Sequence, residues 1–417
     1  MNSRLALLVL VGLVGCTSDE RDIDADLARA AERARELPFL RAPRVERQTR
    51  ASYIAAAEER GRSESDEDIA ELRAVHGRLG FVPKDYDVRK ARGEVARIVG
   101  ASYSAERKTI TLFENTPDQV YVHELVHALQ DQHFGLQAFD DEATSTDPVL
   151  ARRAGREGDA TLADARFAAE GDLRRVQGNL DLPGAEQRAE TLLSSVPTPA
   201  YFLAYPSFVY PYGSSLAARA AGVFDGQFVR ERLDALFADD APKSTEEVIR
   251  RVEQREVDPI EPVGLAALPK DVATDFDVVS VDCVGAWQTY LLFRDRQASL
   301  GARSLVTQWD GDQLVVIGER DPSIPPKRKA PVAIVWTSIW ENDDVAAAFA
   351  RRFEELQDAL ADGEDMILER EGKQVVFVKG AIDAVKMRTL ADAALRRPPV
   401  LPPLATRRKS PHVVHPF

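Results

Sequence analysis

The chain has 417 residues, 44% of them hydrophobic and 29% charged, a composition that can pack the cores of two or three domains and excludes a wholly disordered chain or a single small module. Against 54 Lys plus Arg stand 68 Asp plus Glu, a formal net charge of −14. That excess of acid excludes nucleic acid as a partner, because phosphates demand a basic footprint.

Residues 5–14 form an apolar run behind Arg4, too short to cross a bilayer and suited to the hydrophobic stretch of a signal peptide. The run ends in Leu13-Val14-Gly15-Cys16. These residues resemble the bacterial lipobox, which implies that 1–15 are a lipoprotein signal peptide and that Cys16 is the lipidated first residue of the mature chain. Acyl chains at Cys16 make the membrane a partner. Thr17 follows Cys16, so the inner-membrane retention signal given by Asp there is absent, and the outer membrane or periplasm is the expected location. Cys283 is the other cysteine; with Cys16 acylated it has no disulfide partner, and its apolar surroundings mark it as a small buried side chain.

Residues 16–95 read as a tether and an N-terminal helical region, with Ala-rich helices over 25–36 and 50–60. A second unit spans 96–260. In it, β-prone runs at 98–103 and 109–113 flank a polar turn and predict a hairpin. A helix follows, with Asn115 or Thr116 as its cap, Pro117 and Asp118 in its first turn and Gly135 as its stop. Asp147-Pro148 announces a second helix running to about Gly171. Downstream come an aromatic-rich stretch at 201–212 and helices near 231–237 and 284–293. Strands at 314–317, 331–336 and 374–378 alternate with helices at 344–360 and 382–395, so 261–396 is an α+β region. A Pro-rich basic tail, 397–417, ends the chain. The fold class is α+β throughout: a core of an edge-strand hairpin and two site-bearing helices, mostly helical surroundings and an α+β C-terminal region.

Chemistry is concentrated in His123-Glu124-Leu125-Val126-His127, an HExxH motif inside the first of those two helices. With Val122 taken as zero, 3.6 residues per turn place Val122, Leu125, Val126 and Leu129 at about 0°, 300°, 40° and 340°, one apolar stripe. His123 and His127 fall at about 100° and 140°, a separate stripe on which both imidazoles reach one ion. Zn²⁺ suits this pair because it binds neutral imidazole, leaves a coordination position open and drops the pKa of its water to about 7. Glu124, beside them, is the general base that takes the water's proton and passes it to the leaving amine.

Three residues compete as the third ligand. His133 reproduces the spacing of metzincins, but Gln130 stands where those proteins have Gly, and on a continuous helix His133 lands on the apolar stripe. Glu157 lies 30 residues after His127 in the second helix and opens Glu157-Gly158-Asp159-Ala160; Glu170-Gly171-Asp172 repeats the pattern near that helix's end. Glu157 is the better placed, with Asp164 and Thr161 on its stripe and able to orient an imidazole. At Gly158 the missing side chain allows two helices to approach closely.

The segments Gly100-Ala101-Ser102-Tyr103, His123 to Phe134 and Glu157 to Ala160 together resemble a family of uncharacterised bacterial secreted or lipid-anchored metallopeptidases of gluzincin type, in which two His of HExxH and a downstream Glu hold zinc. Pro211-Tyr212-Gly213, Pro242 to Glu246 and Trp309 to Asp312 resemble that family's later segments. The resemblance implies a zincin-like core, a zinc ion on His123, His127 and Glu157, and a peptide or protein substrate that adds its backbone to the strand near 101–103. A tetrahedral intermediate needs a donor besides the metal. No His lies between His133 and His412, and the resemblance favours Tyr212, in the turn 210–213, for that role. The expected function is a lipid-anchored envelope zinc peptidase. Its rival is a non-catalytic envelope lipoprotein whose metal is structural and whose C-terminal half is a binding or scaffolding surface.

Overall fold

The computed structural model of the chain describes residues 24–178, 180–294, 299–325, 329–360 and 363–396; Cys16, the signal segment and the basic tail lie outside them. Helix α1 (Ala25–Arg35), strand β1 (Arg44–Gln48) and helices α2 (Arg50–Arg62), α3 (Asp66–Leu72) and α4 (Ala91–Ala96) lead into the hairpin of β2 (Ala101–Ser104) and β3 (Thr109–Phe113). The hairpin and two helices then follow in the predicted order: α5 (Asp118–Phe134), a short α6 (Leu136–Asp141) and α7 (Thr146–Ala168). The middle of the chain is helical, with α8 (Leu173–Gln177), α9 (Leu182–Leu193), α10 (Ala204–Val209), α11 (Pro211–Ala220), α12 (Arg230–Asp234) and α13 (Thr245–Glu253). The last part is α+β: β4 (Phe276–Asp282), α14 (Gly285–Arg294), α15 (Ser299–Val306), β5 (Trp309–Glu319), β6 (Pro331–Trp340), α16 (Asp343–Leu360), β7 (Met366–Glu371), β8 (Gln374–Gly380) and α17 (Ala384–Leu395).

Strand order in the small sheet is β1-β3-β2. β1 runs parallel to β3 and β2 antiparallel to it, so β2 is an edge strand. β1 went unforeseen because its sequence, Arg-Val-Glu-Arg-Gln, offers no apolar face. Helix α5 starts and stops as chain chemistry dictates, with one correction. Neither Asn115 nor Thr116 caps it; Pro117 occupies the cap position without a side-chain bond, and Thr116 Oγ1 instead closes the turn after β3 through Phe113. At the other end Gly135 takes φ 70°, and its N–H reaches the Asp131 carbonyl, a left-handed conformation open to Gly at little cost.

Residues 210–213, expected as a turn, instead open α11, with Tyr210 at its cap and Pro211 at its first position. This helix packs directly on α7 through two glycines. A Cβ on Gly158 would lie 2.0 Å from the Gly213 carbonyl oxygen, and one on Gly213 would lie 2.2 Å from that of Ala154. The close approach expected of Gly158 is therefore made to α11.

The larger sheet has the order β4-β5-β6-β8-β7, antiparallel throughout. Alternate residues face opposite sides. Leu314, Val316, Ile334, Trp336 and Phe377 join Phe349 and Phe353 of α16, while Val315, Ile317, Val335 and Val378 join Met387 and Leu390 of α17. The first of these clusters continues through α14 into α7 and α11, so the sheet backs onto the helices that carry the site. Among the described residues no helix is long and apolar enough to cross a membrane.

Candidate metal centre

Helix α5 is buried on every side from Tyr121 to Asp131. Its apolar stripe of Val122, Leu125, Val126 and Leu129 is fully buried, as the periodicity predicts. The second stripe meets α7. His127 Nε2 lies 3.1 Å from His123 Nε2 and 3.0 Å from Glu157 Oε2, and His123 Nε2 lies 3.4 Å from the same oxygen. Within the described residues His123, His127 and Glu157 form the one group of His, Cys, Asp or Glu side chains able to share an ion, with ligand atoms all within 4.8 Å of one another. The other two candidates are elsewhere: His133 Nε2 meets the Pro38 carbonyl at 2.8 Å, and Glu170 is exposed past the end of α7.

The donor set fits zinc. Bonds of about 2.0–2.1 Å in a tetrahedron put ligand atoms roughly 3.3 Å apart, close to the three separations observed. Each ligand's other polar atom is already engaged, which leaves one atom of each for an ion. His123 Nδ1 meets Asp164 Oδ2 at 3.2 Å, and His127 Nδ1 meets Gln130 Oε1 at 2.8 Å. Glu157 Oε1 accepts from the Tyr205 hydroxyl and from Arg156 Nη2, both at 2.7 Å, so Oε2 alone faces the imidazoles. Partners of this kind fix ring orientation and ligand basicity.

Electrostatics agree. Burial opposes ionisation of Glu157, yet the neighbouring His127 and the Arg156 guanidinium outweigh it and hold the carboxyl well below the usual range. Burial likewise opposes charge on His123, but its hydrogen bonds to Asp164 and Glu157 prevail and push it up to about 10. The cluster is thus built to hold positive charge. Glu124 is also buried, and desolvation raises its pKa, partly offset by His123 and His127, which moves it toward the range a general base needs.

These groups stand on the wall of a cavity of about 990 Å³. One side is the edge strand β2 and the turn after it; another is α2, with Tyr53 and Arg60; α6 and the loop to Ser145 form a third. Asp131 of α5 ties the hairpin down, accepting from the Tyr103 hydroxyl at 2.6 Å and from Lys108 Nζ at 2.7 Å.

Tyr212 is not brought to this cavity. It is buried behind it, stacked on Phe208, and its hydroxyl accepts from Arg303 Nη1 at 2.9 Å; burial pushes it up to about 12. As a helical residue two positions beyond Tyr210, it points to another face of the chain. Tyr210 lines the cavity instead, its ring 6.0 Å from that of His123 and its hydroxyl without a hydrogen bond among the described residues. Gln130, Arg156 and Tyr205 were also missed as parts of the centre. Gln130 sits three residues after His127, a helical neighbour, and that spacing was its one available signal; Tyr205 had none.

Residues 276–391 match the family model described as Domain of unknown function (DUF8575). That match covers the larger sheet and its helices and leaves the metal centre outside it. No curated protein and no solved structure matches the chain.

Proposed function

We infer that the protein is a zinc-dependent peptidase of the bacterial cell envelope, of gluzincin type on a zincin-like core, anchored by lipid at Cys16 in the outer membrane or periplasm. One observation carries the reading: two imidazole nitrogens and one carboxylate oxygen converge at the spacing of a tetrahedral ion, with a second acid, Glu124, on the same cavity wall. Three protein ligands rather than four leave a position open, the mark of a catalytic and not a structural zinc site. A zinc ion held there supplies a Lewis acid and lowers the pKa of water to about 7.

The chain's own groups do the rest. Glu124 accepts a proton from the attacking water and returns it to the leaving amine. The Tyr210 hydroxyl, without a hydrogen bond among the described residues and on a residue that lines the cavity, donates to the carbonyl oxygen as negative charge develops on it. The open edge of β2 offers backbone groups to an extended peptide or protein substrate. Arg156 and Tyr205 keep Glu157 ionised and turned, and Asp164 and Gln130 keep the two rings turned.

Purified protein should contain about one zinc per chain and cleave casein or a mixed peptide pool, with activity lost on chelation and restored by zinc. Zinc bound at full occupancy with no cleavage across a broad substrate screen would instead favour the scaffold reading.

A further inference from the structure

Helix α1, the first described element of the chain, touches no ligand directly, yet it ends in a buried side chain that leads to one. Arg35 and Asp159 are both fully buried, and Arg35 Nε donates to Asp159 Oδ2 at 2.7 Å. The other end of the guanidinium, Nη2, donates to Asp234 Oδ1 at 2.5 Å. Asp159 Oδ2 also accepts from Gln130 Nε2 at 2.9 Å, and the same Nε2 donates to the Arg156 carbonyl at 2.9 Å. With both amide hydrogens committed to acceptors, Gln130 has its oxygen on the remaining side, where it meets His127 Nδ1.

This orientation has a chemical consequence. Gln130 Oε1 can only accept, so His127 carries its proton on Nδ1, and Nε2, the atom aimed at His123 and Glu157, offers a lone pair. A reversed amide would present N–H to Nδ1, move the imidazole proton to Nε2 and abolish the ligand. What forbids the reversal is the negative charge of Asp159, which would face the amide oxygen. Arg35 Nε holds that carboxylate in place against Gln130 Nε2, and a buried carboxylate that loses such a partner is costly to keep there.

We propose that Arg35 is a positioning residue of the metal centre: through the buried Asp159 carboxylate and the Gln130 amide it sets the tautomer in which His127 binds metal, which makes the N-terminal helix part of the site. This rests on the zinc half of the function proposed above and not on peptide hydrolysis.

The test measures zinc affinity by competition with a chromophoric chelator on the full chain, together with the visible spectrum of the cobalt-loaded protein. Arg35→Gln and Gln130→Leu should each weaken zinc binding by about 10- to 100-fold and alter the cobalt bands. The double variant should bind little worse than the weaker single, since both cut one route. Arg35→Lys keeps a cation beside Asp159 and should restore affinity to within about threefold even where the melting temperature stays lowered, an outcome that a purely structural Arg35 does not give. Should Arg35→Gln fail to fold, Arg35→Gln combined with Asp159→Asn leaves no unpaired charge buried and must show the same loss. Wild-type zinc affinity in that pair or in Gln130→Leu, additive losses in the double variant, or absence of zinc binding by the wild type overturns the proposal. Tight zinc binding with the expected coupling and no peptide cleavage would sink the peptidase reading and leave this inference standing.

Discussion

Helix α5 and strand β6 are both buried along most of their length, but in opposite surroundings. β6 lies between two apolar clusters: Ile334 and Trp336 face α16, Ala333 and Val335 face α17. α5 buries His123, Glu124, His127, Gln130 and Asp131 beside its apolar stripe. Buried polar groups need partners, and those of α5 come from α7 and the β2–β3 hairpin, with Arg35 of α1 and Tyr205 of α10 in turn holding Asp159 and Glu157 of α7. Burial in the sheet follows from the sequence of each element alone, whereas burial in the centre binds distant segments into one polar network. Damage to the first should reduce stability and spare chemistry; damage to the side chains on the cavity wall of the second should do the reverse.

The sharpest break is Glu124→Gln, which removes the proposed base and keeps the shape. Hydrolysis should fall by about 10²- to 10⁴-fold while zinc content stays at the wild-type level, as kinetics and metal analysis on one preparation would show. On the other side of the comparison, Phe353→Ala deletes a ring that packs at 4.8 Å from Phe377 and 5.2 Å from Trp336. Urea unfolding should show about 3–5 kcal/mol lost, with zinc affinity within about twofold of wild type; a large loss of affinity would mean that the sheet and the centre are not separable. Asp164→Asn weakens the acceptor behind His123 Nδ1 and should loosen zinc by about 10- to 100-fold with little change in melting.

The smallest effect lies where the regions meet. Asp147 at the start of α7 accepts from Thr245 and lies against Gly285, where an added Cβ would lie 1.8 Å from its Oδ1. Desolvation pushes Asp147 up to about 8 from 3.8, and Asp312 nearby up to about 6. Between roughly pH 4 and 8 the folded chain therefore holds a proton that the unfolded chain has released, so stability falls as pH rises through that window. Asp147→Asn should flatten the fall in melting temperature, most visibly above pH 6, where Asp312 no longer contributes. An unchanged slope would show that Asp147 is ionised in the folded protein.

Much of the candidate centre was legible because its two imidazoles are local. Four residues from His123 to His127 is one helical turn, so two rings share a stripe in any fold that keeps the helix. Glu157 was legible as an acid placed within a second helix, and Asp164, two turns along the same stripe, emerged as the partner of His123. Tyr212 went astray because the expected turn at 210–213 is the start of α11, where rotation by two helical positions carries the side chain away from the cavity and leaves Tyr210 facing it. Strand β1 escaped because polar residues carry no periodic signal when a strand lies at a sheet edge.

Composition, the spacing within HExxH and the β-branched apolar runs of β5, β6 and β8 were enough for the α+β class, the imidazole pair and three of the five strands of the larger sheet, β4 and β7 going unforeseen, since each depends on residues a few positions apart. Which tyrosine lines the cavity, why Gln130 can stand beside His127, and that Arg35 and Asp159 meet across 124 residues were decided by tertiary packing. Charges that far apart in the chain have no shared pattern to read; they find each other only because burial leaves an unpaired one too costly to keep.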